Sequence, residues 1–226
     1  MRCCVILLVI AAPVGARSAT ARQGYIAALE SFVSAARATK DPAGVHAAQQ
    51  GIVAAYAHVG GPTNAWLFFQ RTGGQGAFAM LAELATRYAA LEKYSESNEV
   101  YRQMTSLHPA SVHACEWQAN VVHNARRFAE RREQLAEVQR LLATRRRVLG
   151  DFTVPPEQKQ ACSRTTRDLM GELVSRWKEA LTTGCTAYSW PDWPPLETLL
   201  REFLAAFPGD PDAPRVSSWL DDLLSR

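Results

Sequence analysis

Four polar residues could bind a protein ligand from one face of a predicted helix at 111–126. They are His113, Glu116, Asn120 and His123, spaced at i, i+3, i+7 and i+10. At 3.6 residues per turn, this spacing keeps all four on the same side of the helix. Imidazole, carboxylate and amide groups can hold an extended peptide or a helix through charge-assisted hydrogen bonds. The alternative is a solvated face without a ligand, since every surface helix needs a polar side.

The same region contains residue types that bind zinc. His108, His113, Cys115 and His123 could supply nitrogen and sulfur ligands. Their spacing opposes such a site, because His113 and Cys115 are two positions apart on a helix and point in different directions. His108 precedes the helix. The sequence therefore predicts no metal site.

The most basic stretch of the chain lies at 126–147. Its arginines are Arg126, Arg127, Arg131, Arg132, Arg140, Arg145, Arg146 and Arg147. Glutamates at 130, 133 and 137 interleave with them and can pair at i, i+3 and i+4, which weakens any field at a phosphate. The net charge of +3 is also small. We expect no nucleic-acid partner and interpret this stretch as a solvated helix surface.

Motifs of known enzymes are missing from the sequence. The glycine-rich run at 73–76 is not preceded by a predicted strand or followed by lysine and a hydroxyl residue, as a phosphate-binding loop would be. We find no nucleophile elbow, no HExxH zinc motif and no cofactor fingerprint. We therefore expect a protein that is not an enzyme and that carries no cofactor.

Three cysteines remain once Cys3 and Cys4 are assigned to the N-terminal segment described below: Cys115, Cys162 and Cys185. At most one disulfide can form among three thiols, and one thiol is then left over. We interpret all three as independent small apolar residues, with a single disulfide as the alternative.

The first 21 residues are predicted to be an export signal. Arg2 provides a minimal positive charge, and residues 3–14 form an apolar run that is too short to span a bilayer. Small residues at 19–21 offer a cleavage site, with 14–16 as a second choice. We expect a protein of the periplasm or envelope with no transmembrane span in the mature chain. The alternatives are a buried first helix or a wrongly assigned start, either of which would give a cytoplasmic protein.

The elements that position these residues are all predicted to be helices. Hydrophobic residues make up 47% of the chain and charged residues 21%, which is typical of a globular protein. No stretch alternates with a period of two for long enough to be a strand. Apolar periodicity and Pro or Gly punctuation predict helices at 25–38, 42–59, 63–69, 81–91, 94–108, 111–126, 128–150, from 156, at 196–207 and from 214.

The segment 81–109 shows the clearest pattern, two amphipathic helices joined by a short polar break. The first helix carries the stripe Leu81, Leu84, Ala85 and Tyr88, and the second carries Tyr94, Ser97, Tyr101 and Met104. Pro109 ends the second helix, because the residue before a proline is disfavoured in the α region. Such a hairpin cannot bury its apolar face alone.

This hairpin resembles the tetratricopeptide repeat, a helix–turn–helix unit of 34 residues. With Pro109 aligned to the terminal proline of that repeat, Leu84 and Tyr88 occupy large positions of the first helix, and Tyr94 and Tyr101 occupy aromatic positions of the second. A degenerate second repeat at 112–145 places Trp117 near the first-helix anchor and Phe128 in register with Tyr94. The clearest repeat is thus 78–111, and a partial unit covers 194–226. The predicted repeat-packing residues are Leu84, Tyr88, Tyr94, Tyr101, Pro109, Trp117 and Phe128.

The resemblance implies an all-α, right-handed solenoid of antiparallel helix hairpins over residues 22–226. The chain from Trp66 onward also resembles divergent tetratricopeptide proteins of the envelope of deltaproteobacteria. This implies a non-catalytic scaffold whose groove, lined by His113, Glu116, Asn120 and His123, binds an unidentified protein; the alternative is a cytoplasmic adaptor or regulator of the same fold. The last helix, with Trp219, Leu220, Leu223 and Leu224, could pair with another copy of the chain.

Overall fold

The computed structural model describes residues 14–183 and 193–225, and within them the chain is helical without strands. The helices are α1 (Val14–Ala38), α2 (Pro42–Val59), α3 (Pro62–Gly73), α4 (Ala77–Ala90), α5 (Tyr94–Leu107), α6 (Ala114–Phe128), α7 (Arg131–Gly150), α8 (Pro156–Thr183), α9 (Trp193–Ala206) and α10 (Ala213–Leu224). The predicted all-α class is confirmed.

Two compact units make up the chain, Met1–Leu84 and Ala85–Arg226, and the boundary between them falls inside α4. The sequence predicted one domain over 22–226. This domain assignment stays a prediction. The predicted repeat at 78–111 extends across the boundary.

In the first unit, α2 begins where the sequence predicted. Asp41 Oδ2 accepts a hydrogen bond of 2.9 Å from the backbone N–H of Gly44, and Pro42 occupies the first turn of α2. Asp41 thus caps a helix whose first N–H groups have no partner inside the helix. At the other end, the Gly60 N–H bonds to the Tyr56 carbonyl at 2.7 Å, and α3 starts at a proline two residues later.

An aromatic cluster joins α2 to α3 in the first unit. The ring of Tyr56 lies 4.9 Å from that of Phe68 and 5.1 Å from that of Phe69, which is fully buried. Leu67, which directly precedes these two phenylalanines, is 55% exposed. Consecutive helical residues are about 100° apart, so four in a row cannot all face inward.

The glycine-rich run between α3 and α4 forms a short 3-10 turn at Gly74–Gly76. Gly74 has φ of +53°, a left-handed conformation that favours glycine. The Gln49 side chain donates a hydrogen bond of 3.1 Å to the Gly73 carbonyl and so ties the turn to α2. The run serves as a helix connector here.

In the second unit, each helix from α5 to α10 packs against the next, and α6 also contacts α8 as α7 contacts α9. The core that results is continuous from α6 to α10, and its largest fully buried side chains include Leu141, Met170, Leu173, Leu196, Leu199 and Phe203. Met170, Leu173 and Trp177 of α8 are all buried in this core.

The turn between α6 and α7 differs from the prediction. Phe128 was expected to open the second helix of a repeat, and this is wrong: it is the last residue of α6, and α7 begins at Arg131. The Ala129 N–H bonds to the Ala125 carbonyl at 2.8 Å, and the extended backbone of Glu130 makes the turn. No proline or glycine lies at this turn, so no helix-breaking residue indicates its position.

Helix starts recur at a spacing longer than 34 residues. α4 and α6 begin at 77 and 114, and α5 and α7 begin at 94 and 131, so both intervals are 37 residues. At this offset, the buried residues Leu84, Tyr88 and Tyr101 correspond to Val121, Ala125 and Val138, which are also buried. Over this stretch the helix starts therefore recur at 37 residues, three more than the 34 of a tetratricopeptide repeat.

The two ends of the chain bear on two further predictions. Residues 1–13 of the predicted signal lie outside the described residues, and 14–21 form the start of α1, so the signal stays a prediction. Among the described residues, no helix is both long and apolar enough to cross a membrane.

In α10, Leu220 and Leu223 are buried within the unit and Leu224 is 52% exposed, so little of the apolar surface predicted for pairing is free.

Candidate functional site

Helix α6, which carries the predicted binding residues, starts three residues later than expected. His113 is its N-cap residue, and the Ser111 hydroxyl accepts a hydrogen bond of 3.2 Å from the His113 N–H. Glu116 lies in the first turn, and Arg126 and Arg127 lie in the last. These charges complement the helix dipole at both ends, with the carboxylate near the N-terminus and the guanidinium groups near the C-terminus.

The polar face of α6 is open to solvent, as the spacing predicted. His113, Glu116 and His123 are exposed, and Asn120 is half-buried. The remaining faces of α6 are held by α5, α7 and α8, with Trp117, Val122 and Ala125 among the buried side chains. The packed core therefore fixes which side chains of α6 face outward.

A cavity of about 320 Å³ lies between α6 and α8 and gathers three of the four predicted residues. The lining residues are Val112, His113, Cys115, Glu116, Ala119 and Asn120 from around α6, and Gln158, Ala161, Cys162 and Thr165 from α8. His123 is not among them. It lies near Glu172, whose pKa is lowered mainly by its hydrogen bond with Arg126 and to a smaller degree by His123. We call the surface formed by these ten lining residues the α6–α8 groove.

The charged groups of the groove are accessible. His113 Nδ1 lies 3.2 Å from Glu116 Oε2, and the two side chains are 63% and 68% exposed. An exposed pair of this kind contributes at most about 1 kcal/mol, so a ligand can displace it at small cost. Glu116 is the only carboxylate among the lining residues, and no arginine or lysine accompanies it.

On the α8 wall, Gln158 has an unsatisfied acceptor. Its side-chain oxygen Oε1 is buried and receives no hydrogen bond from any residue that the structure describes. A buried polar atom without a partner costs about 1–3 kcal/mol. Because this oxygen is buried, a donor from a ligand could recover that cost only if the Gln158 side chain turned toward the groove.

A disulfide between Cys115 and Cys162 joins the two walls of the groove. The Cα atoms are 5.6 Å apart, and both residues are buried. Our interpretation of these cysteines as independent thiols is wrong. The sequence placed Cys115 and Cys162 on helices but left three possible pairings open among Cys115, Cys162 and Cys185, the last of which lies outside the described residues. Only the packing of α6 against α8 brings Cys115 and Cys162 together.

The disulfide argues against the zinc alternative, because Cys115 is bonded to Cys162 and is not available as a thiolate ligand. Across the described ranges, no group of three or more His, Cys, Asp or Glu side chains is placed to hold a metal ion.

A second cavity, of about 630 Å³, lies among α5, α6 and α7, and the sequence analysis missed it. Its centre is Glu137, which is 5% exposed although we expected it on a solvated surface. Glu137 Oε1 accepts hydrogen bonds from Arg102 Nη2 at 2.6 Å and from Arg140 Nη1, and Oε2 accepts one from Gln118 Nε2 at 3.0 Å. Burial raises the pKa of Glu137, but these hydrogen bonds outweigh burial and hold the pKa below its usual value.

A buried amide network fixes α5 against α6 beside this cavity. Asn124 Nδ2 donates to Ser97 Oγ and to Asn98 Oδ1, each at 2.9 Å, and the Ser97 hydroxyl donates to the Ala85 carbonyl at 2.8 Å. Each member of the network has a partner, so it adds rigidity without leaving a polar group unsatisfied. Ser97, predicted as a small packing residue, therefore also contributes a hydrogen bond.

The predicted repeat-packing residues have different environments. Leu84, Tyr88, Tyr101 and Trp117 are buried. Tyr94 is half-buried, Phe128 is 52% exposed, and Pro109 is exposed in the turn after α5. The first four therefore hold the helices together, whereas Phe128 and Pro109 mark the turns.

No protein-family model matches this chain, and no characterised protein matches it significantly.

Proposed function

We propose that this protein is a non-catalytic interaction scaffold of the cell envelope, which binds a segment of a partner protein in the α6–α8 groove. The observation that carries the proposal is the convergence of His113, Glu116 and Asn120, chosen from spacing alone, on one cavity with Gln158 on its other wall. An extended peptide or a helix presents hydrogen-bond donors and side chains at a regular spacing, and a groove of this kind can bind them.

The construction of the groove supports this proposal. Its walls are two helices joined by the Cys115–Cys162 disulfide and held by a continuous core. A surface that is fixed before binding loses little conformational freedom when a ligand arrives, and more of the interaction energy then appears as affinity.

The disulfide also supports placement outside the cytoplasm. Disulfides persist in oxidising compartments and are rare in the cytosol, where thiols are kept reduced. This agrees with the predicted export signal at 1–21. Sequencing the N-terminus of the mature protein separates the envelope scaffold from the cytoplasmic adaptor, since the adaptor would keep its first 21 residues.

We further propose that the second unit is a divergent solenoid of the tetratricopeptide type. Support comes from the recurring starts of α4 to α7 and from the contact between α6 and α8, which are the first helices of successive pairs. Stacked pairs of this kind expose a continuous surface of first helices, on which the α6–α8 groove would lie.

Affinity purification from the native host tests the proposed function. The double variant Glu116→Lys/Asn120→Ala should lose a protein that the wild type recovers, because it reverses the groove charge and removes an amide. Asp221→Lys, an equal charge change at an exposed site on α10, should recover that protein fully. Equal recovery by the wild type and the double variant would refute the groove.

A further inference from the structure

We propose that the α6–α8 groove receives a basic side chain of its partner, with arginine as the best fit. This inference rests on the proposed function and names the group that the groove would recognise.

The polar groups of the groove are rich in hydrogen-bond acceptors. Glu116 offers a carboxylate, Asn120 an amide oxygen, and Gln158 an oxygen that lacks a donor among the described residues. A guanidinium carries five N–H donors and no acceptor, so it can bond Glu116 and Asn120 on the α6 wall together, and Gln158 on the α8 wall once that side chain turns toward the groove. An ammonium carries three donors on one nitrogen atom and reaches fewer of them.

Between these acceptors the wall is apolar. Val112, Ala119, Ala161 and the Cys115–Cys162 disulfide line the same cavity. The aliphatic stem of an arginine or lysine packs well on such a surface while its charged end reaches a carboxylate. A volume of about 320 Å³ can hold a long side chain of this kind together with part of the adjoining peptide.

The charge of the lining residues discriminates against acidic ligands. An acidic side chain in the groove would lie beside Glu116, and the only lining residue that could compensate this charge is His113, which is 3.2 Å from Glu116 and cationic only when protonated. Like charges in close contact are unfavourable, so the groove selects by repulsion as well as by attraction.

Two small probes that differ in a single charged group test this inference. N-acetyl-arginine amide and N-acetyl-citrulline amide have nearly the same shape, but the urea of citrulline is uncharged. Titrated into the full-length ¹⁵N-labelled protein, the arginine probe should shift backbone resonances of 112–120 and 158–165 in a saturable way. The citrulline probe should bind about tenfold more weakly.

Glu116→Gln, which keeps the shape and removes the charge, should reduce binding of the arginine probe to the level of citrulline. Because Glu116 is exposed, this variant should fold normally, and Asp221→Asn serves as the matched control. Equal binding of the two probes, no binding of either, or an unchanged affinity in Glu116→Gln would overturn the inference. The proposed function would survive that failure if the purification experiment still showed a partner that depends on Glu116 and Asn120.

Discussion

Cys115 on α6 and Cys162 on α8 form a disulfide that closes a loop of 47 residues, and this loop contains the whole of α7. The bond lies against the core on one side and lines the groove on the other. The same covalent link thus stabilises the second unit and sets the distance between the two walls of the groove.

The disulfide should contribute strongly to stability. Closing a loop of this length lowers the entropy of the unfolded chain by an amount worth about 4 kcal/mol, a value that depends on the chain-entropy model. We expect Cys115→Ala/Cys162→Ala to lower the free energy of unfolding by about 2–4 kcal/mol in urea denaturation.

Reduction provides the control for this variant. Dithiothreitol should destabilise the wild type to a similar extent and leave the double variant unchanged. A wild type whose unfolding midpoint is insensitive to reduction would show that the bond does not form in solution.

Glu137 should make stability depend on pH in the acid range. Its pKa is lowered in the folded protein, so the carboxylate stabilises the fold above its unfolded pKa of about 4.3, and this stabilisation is lost as the pH falls through the lower folded value. The free energy of unfolding should therefore decrease as the pH drops below about 4. Urea denaturation of the wild type between pH 3 and pH 7 measures this dependence.

Glu137→Gln should weaken the acid dependence and cost about 1–3 kcal/mol at pH 7, since Arg102 and Arg140 lose a charged acceptor. Glu133→Gln is the matched control, because Glu133 is exposed on the same helix and should change stability by less than about 0.5 kcal/mol. Identical pH profiles for Glu137→Gln and the wild type would contradict the buried ion-pair network.

The rings of Tyr94 and Phe128 are parallel within 4°, with centroids 6.5 Å apart. Phe128→Ala should therefore cost about 0.5–1.5 kcal/mol although Phe128 is half-exposed. Phe152→Ala provides the comparison, since Phe152 is fully exposed and its removal should cost less than about 0.5 kcal/mol. Thermal unfolding of both variants, with a double-mutant cycle through Tyr94→Ala, measures the ring contact; a coupling energy near zero would argue against it.

Helix boundaries could be predicted where the sequence contains capping or helix-breaking residues. Asp41 and Pro42 begin α2 through a side-chain cap and a fixed φ angle, and both act within a few residues. The α6–α7 turn has no such signal. Its position depends on which side chains the neighbouring helices bury, so Phe128 was assigned to the wrong helix.

The candidate site could be predicted only in part, because some of its features are set within one helix and others by contacts between helices. The face formed by His113, Glu116 and Asn120 follows from helical spacing alone. Gln158, Cys162 and the burial of Glu137 depend on contacts between helices distant in sequence. In the case of Glu137, alternating arginines and glutamates are typical of exposed helices, and only the packing of α5, α6 and α7 shows that one of these carboxylates is enclosed.

Site-specific photo-crosslinking in the native host tests the groove most directly. A benzoylphenylalanine at Thr165, an exposed residue of the groove on α8, should form an adduct with a defined partner segment, and the same group at Ser106, an exposed site on α5, should not. Glu116→Lys in the same chain should abolish the adduct at position 165. An adduct that persists unchanged in Glu116→Lys, or no adduct above the Ser106 control, would contradict the assignment of the α6–α8 groove as a protein-binding surface.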